Sequence, residues 1–97
     1  EYFNKALKID EKNLLGIYNL GLAYYAKEDY MNASKQFKEA LELSKDDADI
    51  HYALGLTYAA QKRYRNAQES YETVLSLDPN HENARKALLL AQEKLKK

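Results

Sequence analysis

The sequence predicts an all-α chain of antiparallel helix-turn-helix repeats stacked in a row. Three observations carry this. The stretch Tyr18-Asn19-Leu20-Gly21-Leu22-Ala23-Tyr24 returns 34 residues later as Tyr52-Ala53-Leu54-Gly55-Leu56-Thr57-Tyr58, and residues 14–47 laid over 48–81 without a gap give 11 identities in 34. A fixed period of this size marks a stack of supersecondary units, each burying its apolar face on its neighbours. Helix formers dominate, while Gly16, Gly21, Gly55 and Pro79 are the complete set of Gly and Pro. No strand-like alternation competes with the helical period. Finally, polar breaks fall at one register: Asp10-Glu11-Lys12-Asn13, Ser44-Lys45-Asp46-Asp47 and Asp78-Pro79-Asn80-His81.

These breaks predict helices over 1–10, 14–27, 31–44, 48–61, 65–77 and 82–96. Each break offers an N-cap side chain to the orphan N–H groups of the next helix: Asn13, Asp46 or Asp47, and Asn80. Pro79 ends the helix before it by barring Asp78 from the helical region. Shorter breaks at Lys27-Glu28-Asp29 and Gln61-Lys62-Arg63 separate the two helices of each repeat.

Apolar residues recur at three- and four-residue steps, the mark of helices that bury one face. Ile17, Leu20, Gly21 and Tyr24 form one stripe, and His51, Leu54, Gly55 and Tyr58 form its copy. In the second helices the stripes are Ala33, Phe37, Ala40, Leu41 and Ala67, Tyr71, Val74, Leu75. A glycine inside a helix gives up about 1 kcal/mol relative to alanine. Gly21 therefore predicts the close approach of a neighbouring helix backbone.

Composition narrows the function. The chain has 97 residues, enough for one domain, with Lys plus Arg and Asp plus Glu at 15 each. With no net field there is nothing to steer nucleic acid or an anionic membrane. The absence of Cys excludes disulfides and thiolate chemistry, and no apolar run reaches the length of a membrane span. His51 and His81 lack ligand spacing, so no metal site is expected. No catalytic constellation, phosphate loop or cofactor motif occurs. Asp46, Asp47 and Asp49 suit a helix start, and Lys94, Lys96 and Lys97 suit a helix end. Nine Tyr against two Phe favour surfaces with one apolar and one wet side.

With period, pairing and stripes in hand, the chain resembles the tetratricopeptide repeat family, whose 34-residue unit carries a large residue, Leu-Gly, Tyr, Ala, an aromatic, a small residue and Pro. The first full repeat matches with Ile17, Leu20, Gly21, Tyr24, Ala33, Phe37 and Ala40, with Lys45 in place of Pro. The second matches with His51, Leu54, Gly55, Tyr58, Ala67, Tyr71, Val74 and Pro79. The resemblance implies one domain over 1–97. Within it, 1–13 reads as the second helix of an incomplete repeat, 14–47 and 48–81 as full repeats, and 82–97 as a capping helix. Two departures stand out. The family carries Gly in the turn between the paired helices, where this chain has Glu28 and Lys62; His51 replaces a large apolar residue.

The resemblance further implies a right-handed α-solenoid whose concave groove, lined by first helices, binds a peptide or helix of a partner protein. By helical phase the groove residues are Leu15, Tyr18, Asn19, Leu22 and Tyr25, then Asp49, Tyr52, Ala53 and Leu56, then Lys86 on the last helix. Tyr rings would anchor the partner and Asn19 would bond its backbone. On that reading Tyr18→Ala and Tyr52→Ala abolish binding and leave stability nearly unchanged; the alternative is that both rings pack across repeats.

Chaperone adaptors of this family grip a C-terminal carboxylate with Lys and Asn on one first helix, Asn on the next, and Lys and Arg on the third. With Asn19 as the middle Asn, Asp49 and Ala53 stand where Lys and Arg are needed. One repeat on, Ala53 is flanked by Tyr18, Leu22, Asn83 and Ala87. Neither register supplies the clamp.

The two ends differ. Arg85 and Gln92 stand where earlier first helices have Ile17 and Tyr24, which suits a cap facing water. At the start, Tyr2, Phe3, Ala6 and Leu7 form part of a stripe that lacks a partner helix, so this edge is a candidate for self-association. The functional expectation is thus a non-catalytic protein-interaction module. The alternatives are an assembly scaffold that forms a homo-oligomer through the N-terminal edge, or a regulatory segment of a larger enzyme.

Overall fold

The computed structural model describes the backbone of residues 2–96 and the side chains of residues 14–96. Five helices follow one another: α1 Tyr2–Ala26, α2 Tyr30–Leu43, α3 Ala48–Ala60, α4 Tyr64–Leu77 and α5 Glu82–Leu95. Each packs on its chain neighbours, while α1 barely touches α3, and α3 barely touches α5. The result is two layers, with α1, α3 and α5 in front and α2 and α4 behind. None of the described helices is long and apolar enough to cross a membrane.

The core repeats with the sequence. Ala33, Phe37 and Ala40 on α2 are buried, as are Ala67, Tyr71 and Val74 on α4. Leu54 and Tyr58 of α3 close the space between them. The two long glycine-bearing stripes meet the aromatics directly. A Cβ on Gly21 would lie 2.6 Å from Phe37 Cε1, and one on Gly55 would lie 2.5 Å from Tyr71 Cε1. It is an aromatic ring, not a helix backbone, that requires the glycines. A ring seated over a bare Cα brings more apolar surface into contact than two opposed backbones do.

The turns inside the repeats are helix ends of one kind. Asp29 N–H donates to Tyr24 O at 2.9 Å and Glu28 N–H to Tyr25 O at 2.9 Å; Arg63 to Tyr58 at 2.8 Å and Lys62 to Ala59 at 2.9 Å repeat the pattern. This double bond is the Schellman closure, which places its C′ residue in the left-handed region. Glu28 and Lys62 occupy it at φ 65 and 63, without the glycine that makes it easy. Asp29 then caps α2, accepting from Asn32 N–H, whereas Arg63 gives α4 no side-chain cap.

Between repeats, Asp47 caps α3 by accepting from Asp49 N–H at 3.0 Å and Ile50 N–H at 3.4 Å. His51, in place of a large apolar residue, donates from its Nε2 to Lys45 O at 2.8 Å and ties the loop down. Asn80 does not cap α5. Asp78 accepts its N–H at 3.3 Å in a local turn, and the cap moves one residue on, to His81 Nδ1, which accepts from Ala84 N–H at 3.0 Å.

The expected break at Asp10–Asn13 is absent, and α1 runs through it, so Asn13 stands inside a helix and not at the start of one. The segment holds no Pro or Gly, so nothing in its backbone forbids the helix. The side chains of Tyr2, Phe3, Ala6 and Leu7, the expected association edge, lie outside the described residues.

Candidate functional site

The front layer gives the candidate site. On α1, Leu15, Tyr18, Leu22 and Tyr25 follow one another at three- and four-residue steps, so one helical stripe carries them all. Asp49, Tyr52, Leu56 and Ala60 continue the row on α3, and Lys86, Leu90 and Lys94 on α5.

These residues sit at different depths. Leu15 is 62% exposed, Leu22 40% and Leu90 58%, with Asn19, Asp49 and Lys86 also exposed. Tyr18, Tyr25, Tyr52 and Leu56 are half-buried. Ala53 is buried and belongs to the core rather than to an accessible groove wall.

The tyrosines link the groove to the core. The Tyr18 ring lies 5.8 Å from that of Phe37, and Tyr52 lies 6.1 Å from Tyr71, an arrangement repeated at the 34-residue offset. Tyr52 is further covered by His81 at 4.9 Å, and Tyr25 meets Tyr30 edge-on at 5.4 Å. Both Tyr18 and Tyr52 therefore pack on the core. Truncating them removes core contacts along with any binding surface, so a stability cost replaces the near-neutral effect expected from sequence.

Electrostatics follow the same depth. Burial raises the Tyr18 phenol above its ordinary value, and the Asp49 and Asp47 carboxylates raise it further. Burial also raises Tyr25, with help from Tyr30 and Tyr52, and it raises Tyr71 most strongly.

Two hollows mark the ends of the row. One, of about 160 Å³, is bounded by Leu14, Leu15 and Tyr18 of α1 and by Asp47, Asp49 and Ile50 at the start of α3. The other, of about 270 Å³, lies among Tyr25, Leu56, Ala59, Ala60, Tyr64, Leu90, Ala91 and Lys94. The structure thus brings Leu15, Tyr18 and Asp49 together, and Tyr25 with Leu56. Asn19, Leu22, Tyr52 and Lys86 line neither hollow. Sequence reasoning missed Tyr64 and Lys94. The four-residue step from Leu90 to Lys94 is the signal that would have placed the lysine. Tyr64 enters from the back layer, which helical phase on a front helix does not reveal. Among the described residues, no group of three His, Asp or Glu gathers to hold a metal ion.

Known proteins give a consistent picture. A family model described as TPR repeat matches residues 22–62, and one described as Tetratricopeptide repeat matches residues 48–81. No curated protein sequence matches the chain. Among matching solved structures is the first TPR of Spaghetti (RPAP3) bound to the HSP90 peptide SRMEEVD. It superposes with a TM-score of 0.86 at 23% identity, covering 98% of this chain and 75% of that one. At that identity the likeness speaks to the fold.

Proposed function

Since the chain belongs to the tetratricopeptide repeat family, a family of protein-interaction repeats, we propose that it is a non-catalytic module whose concave face holds a short segment of a partner protein. One observation carries this reading. The front layer turns a row of leucines and tyrosines toward solvent, with Leu22 and Leu90 prominently exposed, and a merely solvated face has no use for such a row. Half-sunk Tyr18, Tyr25 and Tyr52 are rigid anchors that lose little side-chain freedom on binding. Exposed Asn19 is placed to bond a peptide backbone.

The partner segment is apolar at its centre, seated on Leu22, Leu56 and Leu90. The neighbour's peptide ends in acidic residues, whereas Asp49 and Ala53 stand here at the register of the cationic clamp. A carboxylate tail brought to Asp47 and Asp49 meets like charge. The proposed partner is therefore not an acidic tail.

Selection from a random peptide display library tests the proposal. Enriched peptides carrying apolar residues are expected, and their affinity is expected to fall tenfold or more in Leu22→Asp and Leu90→Asp, about 1.4 kcal/mol or more. Failure to enrich any peptide, or affinity in both variants unchanged from the wild type, overturns it.

A further inference from the structure

The register of the repeats shows that the two ends of the stack are not equivalent. On α3, Ile50, Leu54, Thr57 and Tyr58 are buried. α2 contributes to that cover: its Leu41 borders the same hollow as Leu54 and Tyr58, and its Lys38 Nζ lies 5.6 Å from the Tyr58 ring. The same register positions on α1 are Gly16, Leu20, Ala23 and Tyr24. There Leu20 is 44% exposed against 6% for Leu54, and Gly16 and Ala23 are exposed as well. Among the described residues, α1 packs only on α2 and, slightly, α3. Among the described residues, no helix covers this face as α2 covers that of α3.

The other end is closed. The register position of Gly21 and Gly55 is held on α5 by Leu89. A single Cβ at either glycine already collides with the aromatic of the following helix, so a leucine bars a further second helix from docking in the same way.

The chain carries a segment with the chemistry of such a covering helix. Phe3, Ala6 and Leu7 stand 34 positions before Phe37, Ala40 and Leu41 of α2. Yet α1 is unbroken from Tyr2 to Ala26, so residues 2–13 continue along its axis and cannot fold against the α1 they belong to. Those of a second copy can. We propose that two copies exchange these segments, each segment taking the α2-like position on the other copy's α1 face at Leu20, Ala23 and Tyr24. The two α1 helices then run antiparallel, with the two-fold axis beside Leu14, the register that Leu41 and Lys38 of α2 keep against Leu54 and Tyr58 of α3. Exchange of an identical element is a low-cost route to a dimer, and the reciprocal geometry closes it.

Sedimentation of the chain over a concentration series tests this, with a dimer expected. Leu20→Glu puts a charge on the docking face at an exposed site and is expected to give a monomer that keeps its helical circular dichroism. Glu11→Pro places at position 11 the residue found at its repeat equivalent, Pro79. The turn is then expected to form, the segment to fold back on its own α1, and the protein to be monomeric. A wild-type chain that is monomeric throughout overturns the proposal. So does a dimer that survives Leu20→Glu, or one lost in Leu20→Glu but kept in Glu11→Pro.

Discussion

Phe37 lays one edge of its ring over the bare Cα of Gly21, with Cδ1 and Cε1 both within 2.8 Å of where a Cβ would stand. Tyr71 does the same to Gly55, where Ser70 Cβ also closes to 3.1 Å. Overpacking such a contact costs about 1–3 kcal/mol, against roughly 1 kcal/mol returned in helix propensity. Gly21→Ala is therefore expected to lower the melting temperature, and Gly55→Ala to lower it more. Gly16, with nothing within 4 Å of its would-be Cβ, is the control. Gly16→Ala is expected to stabilise by about 1 kcal/mol in urea unfolding.

Glu28 and Lys62 hold left-handed backbone at the Schellman turns. A side chain there costs roughly 1–2 kcal/mol, part of which glycine gives back as unfolded-chain entropy. Glu28→Gly and Lys62→Gly are each expected to raise stability by about 1 kcal/mol. Thermal unfolding checks this, and a loss of stability would show that the turns do not hold this conformation.

The two turns differ at the next residue. Asp29 caps α2, so Asp29→Ala is expected to cost about 1 kcal/mol. Arg63 provides no cap but lies 5.8 Å from the Tyr58 ring. Arg63→Asp is expected to gain a smaller net amount, because the lost cation–π contact, about 0.5–1 kcal/mol, offsets part of the new cap. Denaturant midpoints of the two variants should move in opposite directions.

Alkaline pH should loosen the fold. Tyr18, Tyr25 and Tyr71 all have phenols raised above the ordinary 10.0, with burial the largest cause in each. A raised folded-state value means the unfolded chain loses its protons first. The stabilisation is thus intact below pH 10 and drains away as pH climbs through the folded-state values. Melting temperature is expected to be flat from neutral pH to about 9.5 and to fall above it. Tyr71→Phe, which copies Phe37 at the equivalent position, is expected to fold normally and to blunt that fall.

The peptide SRMEEVD, bound by the structural neighbour, is expected to show no saturable binding here in fluorescence anisotropy. Saturable, salt-sensitive binding that is lost in Asn19→Ala would restore the carboxylate clamp and overturn the register argument.

The 34-residue period made the architecture legible because residues at equal offsets meet equal neighbours, as Phe37 and Tyr71 do. At the start of α3 the cap went to Asp47, one of the two candidates that Asp46 and Asp47 offered. The cap of α5 was not legible where Asn80 and His81 competed, since the winner depended on Asp78 taking the Asn80 N–H first. Polar residues at Asp10–Asn13 permit a turn without compelling one, because the stretch holds no Pro or Gly to break the helix. Gly21 announced that something approaches closely but not that it is a ring. In the candidate site, helical phase found the front-layer rows. It could not tell how far Ala53 sinks, nor that Tyr64 reaches in from behind.

The three helices of the front layer hardly touch one another, and nearly all the firm contact between them passes through α2 and α4. The spacing of these helices is therefore set from the rear, by residues such as Ala40 and Val74 that no ligand meets. Such a stack behaves as an elastic jaw, able to widen or narrow by small rotations between neighbouring helices while every core layer stays intact. If the proposed groove holds a partner, its grip would be tuned by the bulk of a buried methyl on the back layer.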